Sequence, residues 1–295
     1  MNQIPLGNGN LRPFHPAWDR RNHELKFWDK IVAARKSSSP EAMLVPRPTV
    51  KIVDISHWNT ITTLQPLVDE GYVGVIMKAT ESTWFYDGLF EKLWKQALDL
   101  KLGLGVYHFF RSHVDGNAQG KWFVDHVKFL WDRTGGVGLM PPWIDVETVD
   151  NVSMAVRRNN LLLCAQYVSK NLTLPGFYSS PYMWNSLIGD VPWIGQYWQW
   201  IAQWSGIDWP SLLPIGWSFD RCRVWQNGVA PKHSWVPPVP AGWGGEVDQN
   251  LYLGTADSYY QWIHSSAQPS LEERVKDLER RVTALEQAPP PDATV

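Results

Sequence analysis

Between residues 49 and 265, short apolar runs alternate with longer stretches in which apolar residues return every three or four positions. The runs are VKIVDI at 50–55, VGVIMKA at 73–79, LGVYHFF at 104–110 and MPPWIDVE at 140–147. Their length and β-branched content suit buried strands. The periodic stretches lie near 61–70, 87–101, 117–132 and 152–171, and each suits a helix with one apolar face. Strand then helix, four times over, predicts βαβ units and a parallel sheet. After GFYS at 176–179 the pattern changes. Candidate strands near 199–204, 221–226 and 246–251 are separated by Pro-, Trp- and Gly-rich loops with little helical period. The expectation is an α/β fold: a modified, TIM-like (β/α) barrel over 49–266 whose second half lacks helices.

The flanks read differently. Residues 1–48 form an arm, with a short helix predicted around 23–36 and a break at SSSP, 37–40. Near the other end, apolar residues at 271, 275, 278, 282 and 285 step by four and three. That spacing is a heptad seam, capped by Ser270 and stopped by Pro289, so 270–288 is predicted to be a coiled-coil helix and 289–295 a disordered tail. The seam carries RVxxLE twice, at 274–279 and 281–286, similar to the short motif of three-stranded coiled coils. There an Arg stem covers the seam and its head pairs with a neighbouring Glu. A homotrimer through 271–286 is expected, with a dimer as the second option.

Composition removes several function classes. Against 27 Lys+Arg stand 29 Asp+Glu, a net charge of −2, so no basic field recruits nucleic acid. No uninterrupted apolar run reaches the length of a membrane span, and the N-terminal residues lack the basic-then-apolar layout of a secretory signal. No GxGxxG or GxxxxGK[ST] follows a strand, which disfavours dinucleotide and P-loop functions. Cys164 and Cys222 have no metal spacing and are read as buried thiols. His57, His108, His113 and His126 contain no i, i+4 pair, so they are assigned to hydrogen bonding rather than to a metal, and no cofactor is expected. The 19 tryptophans are ambiguous, because indoles both stack on sugars and fill cores.

Parallel strands gather their C-terminal ends on one face of a barrel. Those ends are Asp54; Lys78, with Glu81 beyond; Tyr107 and His108; Asp145 and Glu147; Tyr178; Gln203 and Trp204; Trp225 and Gln226; and Asp248. In a strand, residues two apart face the same side, so Asp145 and Glu147 should both point inward while Ile144 and Val146 face the helices. Two acids held that close oppose each other's ionisation, which leaves one with a proton to donate. Glycosidic cleavage needs that division, with one carboxyl protonating the leaving oxygen and another carboxylate stabilising positive charge. Lys78, beside Glu81, is read as an ion-pair partner that keeps a cleft carboxylate charged.

DISHWN at 54–59, MKATE at 77–81, YHFF at 107–110, WIDVE at 143–147, IAQW at 201–204, WQ at 225–226 and VDQN at 247–250 together resemble the strand motifs of glycoside hydrolase family 25, in order, over about 50–264. These are lysozymes that cut the N-acetylmuramic acid to N-acetylglucosamine β-1,4 bond of peptidoglycan on a barrel short of helices in its second half. The resemblance implies that Glu147 is the general acid/base and Asp145 its partner carboxylate. It also implies that Asp54 and Asp248 are the remaining cleft aspartates, and that Lys78, Tyr107, Tyr178, Trp204, Trp225 and Gln226 line the groove. Spacing alone leaves the nucleophile open. Substrate assistance is preferred, because two acids emerging from one strand are poorly placed to flank a sugar on opposite faces.

Trp58, Trp143, Trp204 and Trp225 are expected beside the acidic mouth. The aromatic region 193–217 is read chiefly as packing over the helix-poor half, with Trp204 as the sugar contact. A chain of this family with an arm and a trimerising helix implies a bacteriophage protein of the virion tail, with other tail proteins as partners. An endolysin held in the host cytoplasm before lysis is the second placement. The competing class is a non-catalytic glycan-binding or structural virion protein on the same barrel, against which the retention of all four acids argues. The Asp-rich strand-four motif of chitinase-like barrels is missing before Asp145.

Overall fold

The computed structural model describes residues 3–5, 11–13, 48–59, 61–134, 138–204, 212–230 and 247–265. The helix expected around 23–36, the seam at 271–286 and the tail at 289–295 lie outside the described residues. Within the arm, Gln3–Pro5 and Leu11–Pro13 pair as a two-stranded antiparallel ladder.

Eight strands close into a barrel: β1 Val50–Ile55, β2 Tyr72–Glu81, β4 Gly103–Phe109, β5 Trp143–Asp145, β6 Gly176–Ser179, β7 Trp198–Ala202, β8 Cys222–Ala230 and β9 Val247–Tyr252. A two-residue strand, β3 (Phe85–Tyr86), folds back antiparallel on the end of β2. From β1 round to β8 every neighbouring pair is parallel. The last strand departs from the all-parallel expectation, because β9 runs antiparallel to both β8 and β1. It therefore presents its first residues, not its last, at the end of the barrel where the other strands finish.

Helices α1 Gln65–Asp69, α2 Gly88–Asp99, α3 Gly116–Arg133 and α4 Met154–Asn171 cover the first strands from outside. Three of them begin at a side chain that accepts a backbone N–H of the first turn: Asp87 from Leu89, Asp115 from Ala118 and Ser153 from Val156. After β6 the cover thins to α5 Pro181–Leu187 and one 3₁₀ turn, Ile194–Gln196. Among the described residues no helix lies between β7 and β8, in line with the helix-poor second half.

Period-two alternation sorts the strand side chains into layers. Ile52, Ile76, Tyr107, Trp143, Tyr178, Trp200 and Val224 fill the inside of the barrel. Val53, Val75, Met77 and Val106 face α1 to α3, while Ile144, Val146, Phe177 and Ile201 lie in the outer layer with Trp184, Trp217 and Tyr197. Trp217, Trp193 and Tyr197 thus pack over the sparsely covered side, as loop packing requires, and Trp209 lies outside the described residues. Cys164 and Cys222 are buried free thiols whose pKa values are pushed up by burial.

The far end of the barrel is closed by α6, Ala256–Ser265, which sends Tyr259, Trp262 and Ile263 into the interior layer. A ten-residue helix is marginal alone, so it is this burial, worth about 1.5–3 kcal/mol per large apolar side chain, that holds it. The fit depends on glycine: a Cβ on Gly103 would stand 1.9 Å from the Tyr259 hydroxyl oxygen, far inside contact distance. Gly103→Ala is expected to lower stability by about 1–3 kcal/mol through overpacking. Adding Tyr259→Phe should recover part of it, as read by urea denaturation. An additive double mutant would disprove the clash.

Candidate active site

Asp54 ends β1 on the inward side and is almost wholly buried. Its Oδ2 accepts the side-chain amide of Asn250 at 2.7 Å and that of Gln226 at 2.9 Å. Asn250 is in turn fixed by the Trp200 indole N–H, which donates to its Oδ1 at 2.7 Å. The Gln226 Oε1 accepts from the Tyr178 hydroxyl and from the Trp204 indole N–H, both at 2.9 Å. One buried amide thereby ties residues of β1, β6 and β8 and the end of β7 into a single polar cluster. Such a cluster is stable only when each member is satisfied, since an unmade buried bond costs about 1–3 kcal/mol.

Asp248 is the Cα partner of Asp54 across the antiparallel β9–β1 seam. The reversed direction of β9 is what brings Asp248 and, two residues on, Asn250 to the mouth. On the opposite side, Asp145 ends β5 with Phe109 and Tyr178 as Cα partners on its flanks. Ile144 and Val146 lie in the outer hydrophobic layer, as the alternation requires, so Asp145 and Glu147 emerge on the inward side. The chain around Glu147 is pinned: Val146 N–H donates to Tyr178 O (2.9 Å), Ser179 Oγ to Val146 O (2.7 Å) and Thr148 Oγ1 to Phe110 O (3.1 Å). Farther along, Asp150 Oδ2 accepts Ser112 N–H at 2.6 Å, and Arg157 donates to the Asp150 carbonyl.

Tyr107 lies in the field of several of these carboxylates. Burial first, then the charges of Asp54, Asp145, Asp87 and Glu147, hold its phenol well above the ordinary value, so it remains a neutral donor. Lys78 is buried and bonds Glu81 at 2.7 Å, with its ammonium over the Phe109 ring. Arg111 meets the other Glu81 oxygen at 2.5 Å. Burial tends to raise the Glu81 pKa, but the two cations outweigh it and lower it. Lys78 is thus an ion-pair partner, as expected, and the carboxylate it holds is that of Glu81.

One expected groove residue, Trp225, and one tryptophan expected beside the mouth, Trp143, lie elsewhere. Trp225 faces outward, in the layer of Ile144, Phe177 and Trp184, with its indole N–H on the Gln203 carbonyl at 2.8 Å. Gln226 must then face inward, as neighbours on a strand take opposite sides. Trp143 is likewise withdrawn, buried inside the barrel against Trp200. Sequence reading missed Asn250 and Trp200 as site residues. The signal for Asn250 was present, since it lies two positions from Asp248 on one strand face. The histidines have local partners: His57 meets Asp87 at 2.7 Å, His113 meets Asp150 at 3.3 Å and His126 meets Trp122 O at 2.7 Å. His108 lies between Thr80 (2.8 Å) and Gln119 (3.3 Å).

A sequence model of glycosyl hydrolases family 25 matches residues 53–229. Lysozyme M1 of Streptomyces globisporus is 25% identical over 218 residues, covering 70% of this chain and 69% of that protein. The N,O-diacetylmuramidase of Arthroderma benhamiae is 26% identical over 187 residues, 61% of this chain and 77% of that one. Among solved structures, the lysozyme of Streptomyces coelicolor superposes with a TM-score of 0.62 at 22% identity, covering 74% of this chain and 98% of its own. A muramidase from Acremonium alcalophilum gives 0.60 at 22% identity, with 73% and 99% covered. Both superpositions show the same fold.

The histidine behind the mouth is expected to make the fold acid-sensitive. Burial pushes the His108 pKa down to about 4 from 6.5; Lys78 acts in the same direction, and Gln119 and Glu81 oppose it. Between those values the unfolded chain takes up a proton that the folded one refuses, so stability falls as pH drops, by up to about 3 kcal/mol. Urea titrations from neutral pH to about pH 4 should show this loss in the wild type and a flatter profile in His108→Gln. Parallel profiles would refute the assignment.

Proposed function

The chain belongs to glycosyl hydrolase family 25, a lysozyme and muramidase family, and on that premise we propose that Glu147 and Asp145 cut the N-acetylmuramic acid to N-acetylglucosamine bond of peptidoglycan. The observation that supports this is the placement of Asp145 at the end of β5, between its Cα partners Phe109 and Tyr178, and of Asp54 and Asp248 as Cα partners across the β9–β1 seam, at one end of a closed barrel. Glu147 protonates the glycosidic oxygen as its bond to C1 breaks. The acetamido oxygen of the muramic ring closes on C1, and Asp145 accepts the acetamido N–H as positive charge grows. Water then attacks C1, the bond from C1 to the acetamido oxygen breaks to restore the amide, and a proton of the water returns to Glu147. Asp54, held by two amide donors, and Asp248 supply the negative field that favours the cationic intermediate. Tyr178 and Trp204, oriented by Gln226, and Tyr107 shape the sugar site.

Substrate assistance is favoured because Asp145 and Glu147 leave one strand on one side. A glycosyl ester trapped on Asp145 or Asp54 would count against it. Glu147→Gln is expected to cut the release of reducing ends from purified walls by about 10²–10⁴-fold. Mass spectrometry of the fragments should find muramic acid at each new reducing end. Glucosamine there would make the enzyme a glucosaminidase, and wall binding without release, unchanged in Glu147→Gln, would make it a binder.

We further propose that the heptad seam at 271–286 assembles a homotrimer and that the enzyme is carried on a phage virion tail, where it opens the wall during entry. The support is the seam's spacing and its two RVxxLE repeats. Sedimentation at micromolar concentration should give three times 33.8 kDa for the full chain and a monomer when 267–295 are deleted. A monomeric full chain would remove the trimer.

A further inference from the structure

We propose that Trp84, with Phe85, His57 and Trp58, forms an aromatic ledge on the rim of the mouth that holds the glycan strand beyond the bond being cut. The inference rests on the hydrolase reading above and extends it to how the enzyme selects long chains. Trp84 is 69% exposed and Trp58 41%. Their rings are linked through two others: Trp84 meets the edge of Phe85 at 5.8 Å, Phe85 lies 4.8 Å from His57, and His57 lies 4.5 Å from Trp58. Single exposed apolar side chains are ordinary, but a contiguous fixed row is not.

The middle of the row is fixed. Both the backbone N–H (2.9 Å) and the ring Nδ1 (2.7 Å) of His57 meet Oδ2 of Asp87, a buried side chain that also caps α2. The strand β3 carrying Phe85 is paired to β2, and the Trp122 indole donates to the Phe85 carbonyl at 3.1 Å. The row also adjoins the catalytic groups. The Lys78 ammonium lies over both the Phe85 ring (5.3 Å) and the Phe109 ring (4.5 Å), and Phe109 is the Cα partner of Asp145. At the other end, Trp58 follows Asp54 by four positions.

A row of aromatic side chains anchored at His57 and Phe85 and continuous with a glycan-cutting mouth offers surface to the apolar C–H faces of successive pyranose rings. Exposure alone would not mark such a site. Phe129 on α3 is as open, at 61%, yet its face is covered by the Arg133 guanidinium at 4.1 Å from its own helix.

The test compares kcat/KM on long uncrosslinked glycan strands with that on the shortest oligosaccharide the enzyme cuts. Trp84→Ala should lower that ratio by about three- to tenfold, the loss of one stacking contact. Trp84→Phe should restore most of it, and Phe129→Ala should leave it as in the wild type. An unchanged ratio in Trp84→Ala, or an equal loss on both substrates, overturns the ledge. Wall pull-down in a Glu147→Gln background gives a reading without turnover, where adding Trp84→Ala should weaken binding by a similar factor. If the wild type cuts neither substrate, the hydrolase reading fails, while the pull-down still decides for or against the ledge.

Discussion

Asp54 and Asp248 face each other where β9 closes the sheet, and that seam sets the rest of the site. A sheet of seven parallel strands would have two open edges, each a row of unpaired backbone groups. One strand inserted antiparallel satisfies both edges and turns the sheet into a barrel. Because β9 enters at the mouth rather than leaving there, its first inward residue is an aspartate beside the aspartate of β1. Its second is the asparagine that bonds that aspartate. Closure and active-site assembly are therefore the same event, and changes in the register of β9 act on chemistry as well as on stability.

How much of this was legible in the sequence follows from which signals are local. Period two within WIDVE placed Asp145 and Glu147 on one face and Ile144 and Val146 on the other, and both hydrophobic residues lie in the outer layer. The same rule applied to WQ at 225–226 would have separated its members, since neighbours on a strand oppose each other. Reading them together as strand-end residues put Trp225 in a groove from which it is turned away. Strand direction has no period of its own, so the reversal of β9 was invisible. Its motif was placed at the mouth by the family resemblance, since alternation fixes the face a residue takes and not the end of the strand it occupies. Alternation puts Asn250 on the face of Asp248, but its bond to a carboxylate 196 positions away is a long-range contact that no local pattern encodes.

The tryptophans divide by the same geometry. Trp143 and Trp200 are inside the barrel, where their size fills a bore that smaller residues would leave hollow. Trp184 and Trp217 thicken the outer layer where helices are few. Composition could not separate these uses, because an indole has one surface for packing and one N–H for a specific bond. Only position decides which is spent: Trp200 and Trp204 use the N–H on site amides, and Trp84 leaves its face to solvent.

The near-neutral net charge conceals a strongly acidic rim, and the acids that anchor loops are held differently from those proposed to act on substrate. Glu81 is bound by Lys78 and Arg111; Asp87 by His57 and a helix N-terminus; Asp150 by Ser112, with His113 alongside. Each of these acids thus holds a loop in place by a charge-assisted bond. Asp54 is met instead by two neutral amides, which orient the carboxylate without cancelling its charge. A cation in either place would anchor Asp54 more firmly and remove the negative field on which the proposed cationic intermediate would draw. Under that proposal, Gln226 and Asn250 in place of Lys or Arg are where the demands of folding and of chemistry part.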